Sequence, residues 1–388
     1  MTENPLDTVE EIVWEARPHA VPEAVNRLVT THLGADGAEP LLVDYRMVWL
    51  IPVSGGDPVP LDASSPGRAY ATQQAVVEAG GGPGASHRVH LPLTVHGERL
   101  GVLSVRLPGP PETGTLPALE AVAATMARAL KVAEGHTDVY RRIRRRARLT
   151  LAAEIQWDLL PGRFCGGDEF SLAGQLEPAY AVWGDNFDWA LSPDHLTVTV
   201  TNGTGRGTEA AVLTHLAVSA LRNARRSGAE LVDQAALANE ILHLHHRGER
   251  TAETLLLRFD LETGRVRAVD AGSPRIYRLR GSTVDPITLE AQLPLGMFND
   301  TRYAEEEFWL QPGDRIVLVS DGVHAALSPG GETYGARALP RALRRTRLQS
   351  PPDAVRTLVR ELLHYHENSD LADDAVIVCL DWTGKSRR

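Results

Sequence analysis

The sequence predicts an α+β protein: an N-terminal α/β domain, a helical linker, and a C-terminal sandwich of antiparallel β-sheets flanked by helices. Three observations support this prediction. The chain has 388 residues, more than one ordinary domain holds. Short apolar strands separated by turn residues dominate the C-terminal half. Between residues 138 and 160 an apolar residue recurs at every fourth position, which is typical of a helix.

Composition and charge exclude several classes of function. Hydrophobic residues make up 43% of the chain, enough to build proper cores. The formal net charge of −10 gives no support for binding nucleic acid. No apolar run is long enough to span a bilayer, so we expect no membrane association. Cys165 and Cys379 lie far apart without metal or redox spacing, and no signal peptide is recognisable, so we expect a cytoplasmic protein.

The N-terminal part predicts a helix within residues 1–17 and a small α/β domain over residues 18–134. The expected elements are helices over residues 22–33 and around 119–130, a short helix from residue 67, a strand over 41–53, and a hairpin of 89–95 with 100–107. The segment Pro66-Gly67-Arg68-Ala69-Tyr70 and residues 91–105 resemble a GAF domain, a sensor fold placed upstream of signalling outputs. That resemblance implies either a bound small ligand or a role in dimerisation alone.

Residues 135–160 are predicted to form a helical linker. Its apolar stripe consists of Val139, Ile143, Ala147, Leu151, Ile155 and Leu159. Six arginines lie between these positions: Arg141, Arg142, Arg144, Arg145, Arg146 and Arg148. In an acidic protein such a run indicates a solvated helix face rather than a site for an acidic partner. An apolar seam on a linker helix can pair with its twin, so we predict a homodimer formed through this helix.

The C-terminal domain is predicted over residues 161–384, with a tail at 385–388. We expect strands over residues 171–177, 181–191, 195–201, 253–260, 265–271, 275–280, 315–320 and 375–381. Helices are expected over residues 208–227, 231–246, 338–345 and 352–366. Asp260 and Asp314 occupy turns, and we interpret both as turn residues.

Acidic residues gather at the ends of these strands. Asp185 and Asp188 belong to one strand, and Asn202 ends the next, before a Gly-rich loop over residues 203–207. Asp321 follows a later apolar strand, and Asp373-Asp374 opens the last one. Oxygen-bearing side chains brought to one edge of a sheet are the ligands that Mg²⁺ or Mn²⁺ prefers.

From about Ala153 to Trp382 the chain resembles the PPM family of metal-dependent protein Ser/Thr phosphatases, in its bacterial SpoIIE-like branch. The resemblance rests on eight segments in order: residues 154–161, 182–188, 205–211, 270–274, 293–296, 311–314, 320–323 and 372–375. It implies hydrolysis by two Mn²⁺ or Mg²⁺ ions and a bridging water. Asp185, Asp321 and Asp374 would ligate the ions, the residue at position 202 would bridge them, and the Gly203 carbonyl would add a ligand. Asp188 and Asp373 would support these ligands, and Arg206 would face the substrate phosphate.

The sequence departs from the family pattern at three positions. The bridging residue is normally Asp, and here it is Asn202, which carries no charge. Trp183 stands where a Gly is usual, and Ser273 stands where a His is usual. Asn202 admits three interpretations: a natural pseudophosphatase, a weak enzyme that works with one good metal, or a substitution introduced to trap an inactive state.

Two functions follow from the resemblance. The first is a phosphatase that removes phosphate from Ser or Thr of a partner such as an anti-sigma-factor antagonist, with transcriptional control as its output. The second is a pseudophosphatase that acts as a regulatory protein-binding module. Fold alone does not decide between them.

Overall fold

The computed structural model describes residues 5–80, 86–178, 183–272, 274–328, 330–366, 371 and 373–385. The chain divides into two compact units, residues 1–148 and 149–388. The predicted linker, residues 135–160, is therefore divided: residues 135–148 belong to the first unit and residues 149–160 to the second. Among the helices that the structure describes, none combines the length and apolar character that crossing a membrane requires.

The N-terminal unit is built on one antiparallel sheet. Its helices are α1 (Pro5–Glu15), α2 (Val21–His32), α3 (Ser65–Thr72), α4 (Thr115–Ala133) and α5 (Val139–Ile143), with a 3₁₀ turn at Pro18–Ala20. Its strands are β1 (Gly37–Val43), β2 (Trp49–Pro52), β3 (Val59–Pro60), β4 (Val76–Glu78), β5 (His87–Val95) and β6 (Glu98–Leu107). They lie in the order β3-β2-β1-β6-β5-β4.

Alternation along β5 and β6 separates the two faces of this sheet. Val89 and Leu91 are fully buried and belong to a core that also contains Val25 of α2 and Met126 of α4. The intervening residues, such as Arg88, point to the other face. The helices therefore pack on one face of the sheet, and the main core of the unit lies between them and that face.

The predicted strand over residues 41–53 is in fact two strands, β1 and β2. The Asp44 side chain accepts hydrogen bonds from the backbone N–H groups of Val48 (2.8 Å) and Trp49 (2.9 Å). An Asp side chain that bonds the backbone a few residues on stabilises a turn. The prediction of one long strand was wrong because its apolar residues continue through this turn.

The predicted continuous linker helix is also wrong. The structure has two short helices, α5 and α6 (Leu151–Leu159), separated by non-helical residues. Tyr140 of α5 is fully buried in the N-terminal core and donates a hydrogen bond to the Pro18 carbonyl (2.6 Å). The Thr150 hydroxyl caps a new helix start by accepting from the Ala153 N–H (3.2 Å). The apolar residues at every fourth position therefore do not line one continuous helix. The homodimer remains a prediction, without the helical seam on which it was based.

The basic run is not simply a solvated face. Arg144 donates to the Val43 carbonyl (2.9 Å) and pairs with Glu134 (3.2 Å). Its guanidinium also lies over the ring of Tyr45, 5.4 Å from the centroid. Arg144 therefore fastens the end of α5 to the N-terminal sheet, which a helical-face interpretation does not predict.

The C-terminal unit contains two antiparallel sheets. Beyond α6, its helices are α7 (Gly207–Arg226), α8 (Leu231–His246), α9 (Asp321–His324), α10 (Tyr334–Arg345) and α11 (Pro351–Tyr365). Its strands are β7 (Phe164–Gly166), β8 (Phe170–Glu177), β9 (Asp185–Leu191), β10 (His195–Gly203), β11 (Ala252–Asp260), β12 (Arg265–Ala271), β13 (Arg275–Arg280), β14 (Thr283–Ile287), β15 (Glu306–Trp309), β16 (Arg315–Val319) and β17 (Ala375–Trp382).

The two sheets enclose the main core of this unit. One has the order β15-β12-β11-β10-β9 and the other β14-β13-β16-β17-β8-β7. Val198 and Leu255 from the first meet Leu318 and Val378 from the second. Helices α7 and α8 form a second core with the outer side of the first sheet, and α11 packs on β8 and β17. The predicted α+β class and its antiparallel sandwich with flanking helices are confirmed.

Two acidic turn residues behave differently. Asp260 accepts the Thr263 N–H (2.8 Å), which is the predicted turn role. Asp314 accepts the Gln311 N–H (2.8 Å), but it is also 1% exposed and holds Arg280 through two contacts of 2.6 Å. Asp314 therefore closes its turn and also neutralises Arg280.

Candidate metal centre

Asp185 and Asn202 lie directly opposite each other on β9 and β10. Phe187 and Val200, two positions along each strand, are both buried in the core between the sheets. Alternate residues of a strand share a face. Asp185 and Asn202 therefore also face the space between the two sheets, at its edge.

The second sheet supplies the opposing carboxylates. Asp321 begins α9, two residues after the end of β16, and Asp374 directly precedes β17, the neighbouring strand. The Oδ2 atom of Asp374 accepts the backbone N–H groups of Trp183 (2.5 Å) and Asp185 (3.2 Å). The structure thus brings Asp185 and Asp374 together across the two sheets, as the strand-end pattern predicts.

Two glycines permit this close approach. A Cβ on Gly184 would lie 2.0 Å from the Gly203 carbonyl oxygen, and one on Gly322 would lie 1.8 Å from the Asp374 carbonyl oxygen. Any side chain at these positions would push apart the segments that carry the acidic residues. Glycine is required here for space, a role distinct from its freedom in turns.

Burial and mutual repulsion disfavour the charged forms of these carboxylates. Asp185 and Asp374 are each 1% exposed. Burial, followed by the charge of Asp374, raises the pKa of Asp185 well above its ordinary value. Burial raises the pKa of Asp374 to about 7, against hydrogen bonds from Trp183 and Asp185 that lower it. Burial and the charge of Asp373 raise the pKa of Asp321.

The carboxylates of Asp185 and Asp374 are incompletely satisfied. Asp185 Oδ2 and Asp374 Oδ1 are buried and have no hydrogen-bond partner among the described residues. A buried acceptor without a partner is costly, and a buried carboxylate more so. Two such oxygens from adjacent carboxylates are the donor set that a hard divalent cation takes. The Asp185–Asp374 side of the cluster therefore fits a metal ion.

The Asn202 side is different. The Asn202 amide nitrogen donates a hydrogen bond to Asp321 Oδ1 (2.7 Å), which also accepts the Gly322 N–H (2.9 Å). An amide N–H cannot ligate a cation. Among the described residues, no three His, Cys, Asp or Glu side chains already stand in an arrangement that would hold an ion.

Arg206 places a positive charge beside the carboxylates at this edge. Its guanidinium lies over the Trp183 ring, 5.1 Å from the centroid. Its charge lowers the pKa of Asp373, although burial dominates and raises that pKa overall. Trp183, unusual at its position, thus serves as a platform for Arg206 beside the carboxylates.

Asp188 does not join the cluster. It lies three residues after Asp185, so it points to the opposite face of the sheet. There it pairs with Arg222 (2.7 Å) and Arg225 (3.0 Å) of α7, and Arg222 also donates to the Leu159 carbonyl (2.6 Å). The expected supporting role next to the ligands was wrong, because strand alternation directs Asp188 toward α7. Ser273 lies outside the described residues.

Sequence reasoning missed two acidic residues on the interior face. Glu253 of β11 is paired directly with Asn202, and its charge contributes to the raised pKa of Asp321. Asp270 of β12 is 6% exposed and accepts the Gly272 N–H (3.1 Å). Both residues could be found only from the antiparallel register of β10, β11 and β12, which places their side chains on the same face as Asn202.

The C-terminal unit is thus a two-sheet sandwich flanked by helices, with buried carboxylates at one edge of the space between the sheets. Residues 192–383 match the family described as Stage II sporulation protein E (SpoIIE). The SiaA-PP2C domain of Pseudomonas aeruginosa shares the fold, with a TM-score of 0.51 and 21% identity over 60% of this chain and 94% of that domain. Residues 192–383 of the C-terminal unit are therefore similar to the SpoIIE family, and the unit shares the fold of the SiaA-PP2C domain.

Other relatives match a smaller part of their own length. The chain is 20% identical to Protein IcfG of Synechocystis sp. (strain ATCC 27184 / PCC 6803 / Kazusa) over 263 residues, which are 61% of this chain and 41% of IcfG. The chain therefore spans about two fifths of that relative. A structure of the PP2C phosphatase domain and a regulatory-domain fragment of SpoIIE from Bacillus subtilis matches with a TM-score of 0.49 and 20% identity, over 56% of this chain and 65% of that one.

Proposed function

We propose that this chain is a metal-dependent protein Ser/Thr phosphatase of a bacterial signalling pathway, working with Mn²⁺ or Mg²⁺. One observation carries the proposal. Asp185 and Asp374, from different sheets, meet in the interior with one unsatisfied carboxylate oxygen each. The match to the SpoIIE family supports the reaction class, and these oxygens support the position of the cation.

A divalent cation supplies a water of lowered pKa and screens the charge of a phosphoryl group. Asp185 and Asp374 would hold it, with Asp321 and the Gly203 carbonyl on the neighbouring strand ends. The buried backbone hydrogen bonds to Asp374 fix that carboxylate in place. Arg206, held on Trp183, would bind the phosphate of the substrate.

We expect Asn202 to lower the phosphatase activity without preventing a cation from binding to the carboxylate cluster. It removes one negative charge from the cluster, so a pair of dications loses part of its neutralisation. We expect slow turnover that needs high metal concentrations. The substrate class is a phosphoprotein such as an anti-sigma-factor antagonist, which is the partner that the SpoIIE-like resemblance implies.

The experiment measures Mn²⁺-dependent release of phosphate by the full chain from p-nitrophenyl phosphate and a phosphoserine peptide. We expect slow turnover, at least tenfold faster in Asn202→Asp and lost in Asp374→Asn. Absence of turnover in both the unchanged chain and Asn202→Asp would contradict the proposal.

A second function is favoured by a specific contact. The hydrogen bond from the Asn202 amide to Asp321 (2.7 Å) satisfies the Asp321 side of the cluster without a cation. A chain that stays metal-poor would act as a pseudophosphatase that binds a phosphoprotein or regulator without hydrolysing it. Retention of a phosphoserine peptide with no turnover, together with activity in Asn202→Asp, would establish this function.

The N-terminal unit carries a candidate site for the small ligand that the GAF resemblance implies. A cavity of about 490 Å³ is lined by Arg88, His90, Ser104 and Arg106, among others. Arg88 and Arg106 are directly paired across β5 and β6, while Glu78 lies opposite Arg88 on β4 and Asp36 and Glu39 also line the cavity. The guanidinium groups of Arg88 and Arg106 would bind a phosphate or carboxylate group of a small ligand.

Calorimetric titration of the full chain with inorganic phosphate and, separately, with acetate tests this pocket. We expect binding of at least one anion that is lost in Arg106→Thr and kept in Arg128→Thr, which changes an exposed arginine elsewhere in the unit. Equal binding by both variants would contradict this ligand position.

A further inference from the structure

The carboxylate cluster has two unlike halves. We propose that this chain holds a single divalent cation between Asp185 and Asp374, and that the Asn202 amide closes the place of a second cation. The proposal rests on the proposed function for what the ion does, but the number of ions bound can be measured without any turnover.

The half formed by Asp185 and Asp374 fits a cation. Asp185 and Asp374 are almost fully buried, and each leaves one oxygen without a partner among the described residues. The other oxygen of Asp374 is engaged by two backbone N–H groups, so that carboxylate is oriented in advance. No described basic side chain forms an ion pair with these two carboxylates, so a bound cation would neutralise them in their ionised form.

The second half is already satisfied. Asp321 Oδ1 accepts both the Asn202 amide (2.7 Å) and the Gly322 N–H (2.9 Å). To ligate an ion through the amide oxygen, Asn202 would have to turn its amide and give up the bond to Asp321. A neutral amide also cannot screen two dications from each other. The place next to Asp321 is therefore closed by a hydrogen bond instead of an ion.

Glu253 offers the rival arrangement. It faces the same interior as Asn202, directly across the β10–β11 pair, and is half-buried. If its carboxylate swung toward Asp321, it would restore the charge that Asn202 lacks, and two ions would bind. The two arrangements therefore predict different numbers of ions and a different effect of removing the Glu253 charge.

The test counts Mn²⁺ bound to the full chain by equilibrium dialysis with metal analysis, and examines the bound Mn²⁺ by electron paramagnetic resonance. We expect one Mn²⁺ per chain and the spectrum of an isolated ion. We expect two ions with a spin-coupled spectrum in Asn202→Asp, and at least a hundredfold weaker binding in Asp374→Asn. Glu253→Gln should leave the count at one.

Asn299→Asp is the matched control, because it adds the same charge at an exposed position. It should leave one ion per chain, and a circular dichroism spectrum checks that every variant is folded. Two ions bound to the unchanged chain, falling to one in Glu253→Gln, would overturn the inference in favour of the rival arrangement. Absence of binding by the unchanged chain would overturn it too. One bound ion without any turnover would leave it standing and count against the proposed function.

Discussion

Asp270 shows how burial raises the pKa of a carboxyl group near the cluster. Burial raises its pKa to about 6, and the hydrogen bond from the Gly272 N–H only partly opposes this. The folded chain therefore favours the protonated form. The cost of ionisation is absent below the usual Asp pKa of about 4, grows as pH rises through about 6, and is complete above that.

Asp270→Asn should consequently stabilise the protein in a pH-dependent way. The Asn oxygen can still accept the Gly272 N–H, while the charge is removed. We expect the free energy of unfolding of the C-terminal unit to rise by about 1–3 kcal/mol at pH 8 and to be unchanged at pH 4. Urea titrations at both pH values measure this, and an equal gain at both would contradict the assigned pKa.

Asp314 is perturbed in the opposite direction. Hydrogen bonds from Arg280 and from the Gln311 N–H lower its pKa despite its burial. Its contribution to stability is present above the usual Asp pKa and is lost as pH falls through the lower folded value. Asp314→Ala should cost about 2–3 kcal/mol at pH 7, because it leaves Arg280 and a backbone donor unpaired.

Asp285→Ala provides the control for Asp314. Asp285 is an exposed carboxylate that lies near the same Arg280. Its removal should change the stability by less than about 0.5 kcal/mol. A comparable loss in both variants, measured by urea unfolding, would contradict the view that the bidentate contact of Arg280 with buried Asp314 stabilises the fold.

At the scale of elements, the close approach of strand ends is decisive. Gly184 meets the Gly203 carbonyl where β9 begins and β10 ends. Gly184→Ala should separate these ends, lower the unfolding temperature markedly and weaken Mn²⁺ binding, since Asp185 is the next residue. Gly166→Ala, where a Cβ would meet only an ordinary contact at 3.7 Å, should be nearly neutral. A neutral Gly184→Ala in calorimetry would contradict the packing described for the site.

The predicted boundaries of helices and strands match the structure where caps, turns and apolar periodicity mark both ends of an element. The helix at residues 231–246 and the strands at 265–271 and 275–280 match the prediction. The prediction of one linker helix was wrong because an apolar residue at every fourth position also fits two short helices, which pack into different cores.

The prediction for Asp188 was wrong because a motif gives only its distance from Asp185 along the chain. The alternation of side chains along β9 decides which face of the sheet Asp188 occupies.

For the whole molecule, the order of strand-end motifs predicted the sandwich, since each motif ends or begins an apolar strand. It did not predict Glu253 beside Asn202, because that neighbour depends on the pairing of β10 with β11 rather than on any local pattern. The hydrogen bond between Asn202 and Asp321 was equally hidden, because it joins different sheets.

The central claim is that Asp185 and Asp374 form a cation site at the edge of the sandwich. Anomalous diffraction from crystals of the full chain grown with Mn²⁺ tests it most directly. We predict a peak about 2.1 Å from a carboxylate oxygen of each residue. No peak there at saturating Mn²⁺, or a peak only at other side chains, would contradict the account.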